Sequence, residues 1–157
     1  MLLSLANGAP FATGAAQYDY RPITAHEEMP RVIVRIAIDR FETAAFVDTG
    51  GVYLICSPEI ASRLHLSSQD GLPVPRIQVR GIWLSGRVYT LPVTLVAEQG
   101  ESVTIGITTF VPELRPNLTW TDEFPCVLGM YGCLERLRFA IDPGSDTFFF
   151  GDLSESV

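Results

Sequence analysis

The sequence is most informative first in what it lacks. No cluster of four or more Lys or Arg occurs in its 157 residues, and the net charge is −7. With a pI near 4.7, a nucleic-acid or anionic-membrane partner is not expected. No apolar stretch approaches the ~18 residues of a membrane span. The apolar start, Met1-Leu2-Leu3-Ser4-Leu5-Ala6, has no basic residue before it and makes a poor signal peptide. Without an export signal, the sequon Asn117-Leu118-Thr119 carries no weight. Only two histidines are present, His26 and His65, far apart in the chain. The three cysteines, Cys56, Cys126 and Cys133, lack metal-type spacing. Zinc is therefore not expected, nor any other metal or cofactor. An odd count of dispersed cysteines reads as buried, reduced thiols in a reducing compartment, the cytoplasm.

What remains is an ordinary globular composition, 47% hydrophobic and 18% charged, long enough to bury one core. Residues 1–30 are rich in Ala, Gly and Pro and show no sustained periodicity. They read as an N-terminal arm, loosely ordered or pairing into a dimer, and residues 152–157 as a tail. Between them lie many short strands with turns. Arg31–Ile38 is a strand, Asp39–Glu42 a turn, and Thr43–Val47 the return strand. Val52–Cys56 continues extended. Ser57-Pro58-Glu59 opens a short helix to about Leu64, with Ser57 as N-cap and Pro58 at the first position. Arg76–Ile82 and Arg87–Ala97 are expected as strands around a turn at Trp83-Leu84-Ser85-Gly86. Val103–Val111 follows after a turn at Gln99-Gly100-Glu101. Residues 112–125 are Pro-rich and irregular. Met130–Leu137 reads as a second short helix, with Met130, Leu134 and Leu137 on one face. Phe139–Asp142 and Thr147–Phe150 close the chain as a hairpin.

One carboxylate stands out. Asp48-Thr49-Gly50-Gly51 follows the apolar run Thr43–Val47, so Asp48 falls where a buried strand ends. A carboxylate there is costly unless it is hydrogen-bonded or has a chemical task. The glycines behind it let backbone N–H groups approach.

The order of parts resembles the retropepsin-like aspartic peptidases, the family of the retroviral proteases. The resemblance rests on the hairpin Val32–Val47, then Asp48-Thr49-Gly50, then the long hairpin Arg76–Ala97. Strand Val103–Val111 and the segment Val127-Leu128-Gly129 complete it, so that it covers roughly residues 31–151. It implies an all-β fold, a small closed barrel of the acid-protease type with one or two short helices, working as a two-fold homodimer. It implies an aspartic endopeptidase acting on peptide or protein substrates, with Asp48 catalytic. Thr49, Gly50 and Gly51 would support the active-site loop, and Val127, Leu128 and Gly129 would buttress it from behind. Ile82, Trp83 and Leu84 would contact substrate from the flap.

Such enzymes need two carboxylates at one site. This chain has one Asp-Thr-Gly. Its nearest second candidate, Asp146-Thr147-Phe148, puts a bulky Phe where glycine is required, so the second acid is expected from another copy. Two departures from the family stand beside the match. Gly51 occupies a position usually held by Ala or Ser, and the flap lacks a glycine-rich tip. They leave two other readings: a catalytically inactive dimerisation or peptide-binding module on the same fold, and a monomeric β-barrel in which Asp48 caps a turn. Elsewhere, Ser57 is better explained as a cap than a nucleophile, His26 as solvated, and His65 as a helix-end residue. Tyr53 and Trp120 suit cleft and core equally.

Overall fold

Why the chain is built from strands is clearest in its centre. Five of the eight residues of Arg31–Ile38 (β5) are β-branched, and Ile33, Val34, Ile36 and Ile38 are buried. Such residues pack well on a pleated surface. In a computed structural model, residues 2–113 and 126–153 are described. Trp120 and the sequon at Asn117 fall outside them. The molecule is mostly β, and no helix among the described residues is long and apolar enough to cross a membrane.

Four short strands come first: β1 Leu3–Ser4, β2 Pro10–Ala12, β3 Gly14–Gln17 and β4 Asp19–Arg21. After β5 come β6 Phe41–Val52 and β7 Leu54–Ile55, then helix α1 Pro58–Leu64. The long hairpin is β8 Leu72–Val79 and β9 Ile82–Leu95. It is followed by β10 Gln99–Gly100, β11 Val103–Pro112, β12 Cys126–Tyr131, β13 Leu137–Asp142 and β14 Thr147–Asp152.

The main sheet runs β4-β5-β6-β12-β7-β11-β9-β8, and β5 pairs with β9 as well, Ile36 opposite Leu95 and Ile38 opposite Val93. That extra pairing brings the sheet back on itself. The core divides in two. The larger cluster holds Ile36, Leu54, Val93, Leu128, Phe148 and Phe150. The smaller holds Ile23, Ile33, Phe46, Ile55, Val79, Leu84, Phe110 and Val127, and it sits under the long hairpin. Helix α1 begins as its sequence dictates: the Ser57 side chain accepts from the Ile60 N–H at 3.4 Å. It ends at His65, exposed and in the left-handed region at φ 50°.

Three local expectations are corrected. Within residues 2–30, expected as an arm loosely ordered or pairing into a dimer, β3 and β4 join this chain's own sheets. β3 lies between β10 and β14, with Ala15 opposite Phe149, and β4 pairs with β5. These strands have two to four residues each, too short to show a period. The long hairpin turns at Arg80-Gly81, not at Trp83–Gly86. Val79 pairs with Ile82, and both turn residues have positive φ, 50° and 82°. A two-residue turn of that kind matches the twist of the flanking strands. Gly86 instead sits inside β9, where a methyl would meet the Val111 carbonyl at 2.3 Å. The second helix shrinks to one 3-10 turn, Leu134–Arg136. Met130 and Tyr131 belong to β12, and Gly132 at φ 72° breaks any helical path from them.

Candidate active site

Asp48 is set by its strand. β6 runs antiparallel to β5 on one side and parallel to β12 on the other, with Val127 opposite Phe46, Leu128 opposite Val47, and Gly129 opposite Asp48. The carboxylate is half-buried. Its Oδ1 accepts the Gly50 N–H at 3.1 Å. Thr49 and Gly50 themselves are exposed.

The loop that follows is clamped from behind. On its other edge β12 pairs antiparallel with β7, Val127 opposite Ile55. The Gly129 N–H donates to the Tyr53 carbonyl at 2.8 Å, and the Tyr53 N–H donates to the Tyr131 carbonyl at 2.7 Å. Tyr53 itself turns at φ 60°. At Gly129 a methyl would meet the Tyr53 carbonyl oxygen at 2.5 Å and the Val52 carbonyl carbon at 2.7 Å. Only glycine lets the two backbones come this close. Val127 and Leu128 are buried on either face of the same strand.

Gly51 is less demanding. A methyl there would stand 3.3 Å from both the Asp48 carbonyl oxygen and Oδ2. An alanine therefore fits here after a shift of a few tenths of an ångström.

A cavity of about 70 Å³ opens beside the carboxylate, walled by Phe46, Val52, Ile55 and Val127 of the sheet and by Ile77, Gln78, Val79 and Arg80 of the hairpin above it. Asp48 is the one carboxylate among the described residues lining it. Arg80, at the hairpin tip, pairs with Glu27 from the segment after β4. Burial pulls its guanidinium below the ordinary range. Ile23, from the same segment, is 4% exposed and packs with Val79 and Leu84. The N-terminal segment thus braces the hairpin over Asp48.

The three flap residues named from sequence separate. Ile82 is 39% exposed next to the tip. Trp83 is 54% exposed on the opposite face, with the Arg76 guanidinium 3.8 Å over its ring. Leu84 is buried with Phe46 and Phe110. The hairpin residues that share the Asp48 cavity, Ile77 to Arg80, were missed. Placing the turn at Arg80-Gly81 would have found them. Tyr53 is half-buried against Tyr131, ring centroids 6.0 Å apart. His26 is exposed.

Taken alone, the site can hold and orient one carboxylate beside an apolar cavity. It cannot by itself supply an acid and a base together. No family model and no curated protein matches the chain. Among solved structures, it is similar to a retropepsin-like aspartic protease from Rickettsia conorii at 18% identity and a TM-score of 0.54, over 87% of this chain and 89% of that one. A second similar structure is the retroviral protease-like domain of Ddi1 from Leishmania major, at 20% identity and a TM-score of 0.49, over 80% and 96%. The fold is retropepsin-like.

Proposed function

We propose that this chain is an aspartic endopeptidase whose working unit is a homodimer, with residues 31–151 as its peptidase domain. The observation that carries the reading is Asp48 itself: an acid ending a core strand, oriented by the Gly50 N–H and opening into a covered apolar cavity. A turn-capping role would leave that cavity and the close approach at Gly129 without a purpose.

A two-fold axis beside the exposed Thr49-Gly50 would bring the Asp48 of each copy together. Val52 and Tyr131 flank this loop at 43% and 60% exposure, apolar surface that a second copy would cover. Two carboxylates that close cannot both ionise easily, so they share one proton and titrate as a pair. The ionised member takes a proton from a water held between them, and the protonated member donates to the scissile carbonyl oxygen. Water adds, a tetrahedral intermediate forms, and the enzyme is never acylated. The braced hairpin excludes bulk water from this exchange. Apolar side chains flanking the cut bond suit the walls of the cavity.

The test is cleavage of unfolded protein substrates across mildly acidic to neutral pH, by the native protein and by Asp48→Asn. Native cleavage, lost in the variant and falling faster than linearly on dilution, supports the reading. Equal cleavage by both proteins, or none by either, would falsify it.

A further inference from the structure

Where β12 begins, two cysteines face each other. β12 and β7 pair with Leu128 opposite Leu54 and Val127 opposite Ile55. The next step along that register sets Cys126 opposite Cys56. The Cys56 N–H is taken by the Phe110 carbonyl of β11 at 2.9 Å, not by β12. Opposed residues without a mutual backbone hydrogen bond approach to a Cα separation of about 4.5 Å, which a disulfide can span. Both side chains are fully buried and both thiols are free.

The two sulfurs also differ in a useful way. The Cys56 thiol lies within hydrogen-bonding reach of the Cys126 sulfur and of the Ser57 carbonyl, the latter at 3.5 Å. The Ser57 N–H donates to the Cys126 sulfur at 3.3 Å. The contact with Cys56 is the largest influence lowering the Cys126 thiol. Burial opposes it, and Ser57 and Thr43 add to it. The same contact, together with burial, pushes Cys56 up. With the Ser57 N–H on its sulfur, Cys126 is the member of the pair whose surroundings favour a thiolate. Among the described residues Cys133 has no such thiol neighbour, and burial pushes it up to about 12.

We propose that Cys56 and Cys126 form an oxidisable dithiol, closed to a disulfide by hydrogen peroxide, a small uncharged oxidant. The Cys126 thiolate attacks one peroxide oxygen. The O–O bond breaks, and the leaving hydroxide takes a proton and departs as water. Cys126 is then a sulfenic acid. Cys56 gives up its proton, and its sulfur attacks that of Cys126. The S–O bond breaks, and the hydroxyl leaves with that proton as a second water. In sum, two thiols lose two protons and two electrons, and the peroxide becomes two waters. The bond ties the first residue of β12 to the residue after β7, three positions along β12 from the Gly129 that faces Asp48, and the chemistry is independent of any peptidase activity.

The experiment is peroxide treatment of the full native chain, read by intact mass and by non-reducing peptide mapping. The expected result is loss of the mass of two hydrogens and a single linked peptide joining Cys56 to Cys126. Cys133 stays alkylatable after unfolding, and Tm rises until a reductant reverses it. Cys133→Ala should crosslink unchanged. Cys56→Ala should leave a sulfenic acid on Cys126 that dimedone traps. Three alkylatable thiols after treatment, a bridge through Cys133, or added oxygen on Cys126 of the native chain without a bridge would each overturn the proposal.

Discussion

Gly129 stands opposite Asp48 on the neighbouring parallel strand, so close to the backbone of residues 51–53 that a methyl group would overlap the Tyr53 carbonyl at 2.5 Å. The position of the acid is therefore fixed by a strand 81 residues further along, not only by its own loop.

Gly129→Ala should strain both backbones. Overpacking of this kind costs about 1–3 kcal/mol, and the upper end is expected because backbone, not a side-chain end, is in the way. Urea denaturation would show it as a lower midpoint at an unchanged slope. An unaltered midpoint would mean that β12 does not press on the loop.

Gly51→Ala should be nearly silent. The residue does not use the left-handed region, and the added methyl meets Asp48 only at 3.3 Å. Removing glycine freedom from the unfolded chain stabilises by about 0.4–1 kcal/mol, which offsets the tight contact. Net stability should stay within about 1 kcal/mol of the native value, and cleavage, once measured, within a few-fold. A large loss of either would show that this loop needs its second glycine.

Ile23→Ala should destabilise the molecule by about 2–4 kcal/mol, as a buried Ile truncation does, and act on the hairpin. Ile23 packs with Val79 and Leu84 on either side of the Arg80-Gly81 turn. Hydrogen exchange at the amides of β8 and the start of β9 should quicken more than at β13. Uniform quickening would separate Ile23 from the hairpin.

Asp142 supplies a pH signature. The Ser145 hydroxyl donates to its Oδ2 at 2.7 Å and the Gly144 N–H to its Oδ1 at 2.9 Å. These bonds, Ser145 first, hold the carboxyl below its ordinary range. A carboxyl depressed on folding contributes stability above its unfolded pKa, and loses it as pH falls through the folded pKa. Ser145→Ala should raise the Asp142 pKa in an NMR titration and shrink the acid-side fall in Tm that this turn contributes. An Asp142 titration unchanged by the substitution would refute the assignment.

Much of this architecture was legible where one local signal had no rival. Ser57-Pro58-Glu59 specified the start of α1, and the runs Phe139–Asp142 and Thr147–Phe150 specified the last hairpin. Where two local signals competed, distant pairing decided. Trp83-Leu84-Ser85-Gly86 has turn composition, yet Gly86 is there to let β9 pass close to Val111. Met130, Leu134 and Leu137 have helical spacing, yet Tyr131 is drawn into pairing with Val52. Of the first strands, β3 finds a partner more than 130 residues away, Ala16 with Phe148, which no window on the sequence reveals. At the site, Asp48 and its glycine were readable because the motif is local. The cavity was not, because its roof depends on which residue turns the hairpin and its brace comes from Ile23 and Glu27.

The place of β3 between β10 and β14 bears on how this protein is made ready for use. Many hydrolases are held silent by an N-terminal piece that is later cut away. Here such a cut ahead of Arg31 would strip a strand from the middle of one sheet and β4 from the edge of the other. It would also bare Phe148 and Phe150 and leave open edges that recruit other chains. Gly14, where a methyl would strike both Glu101 and Phe150 at 2.3 Å, shows how tightly that strand is fitted. The segment is part of the packed fold, and a chain cut there is expected to aggregate.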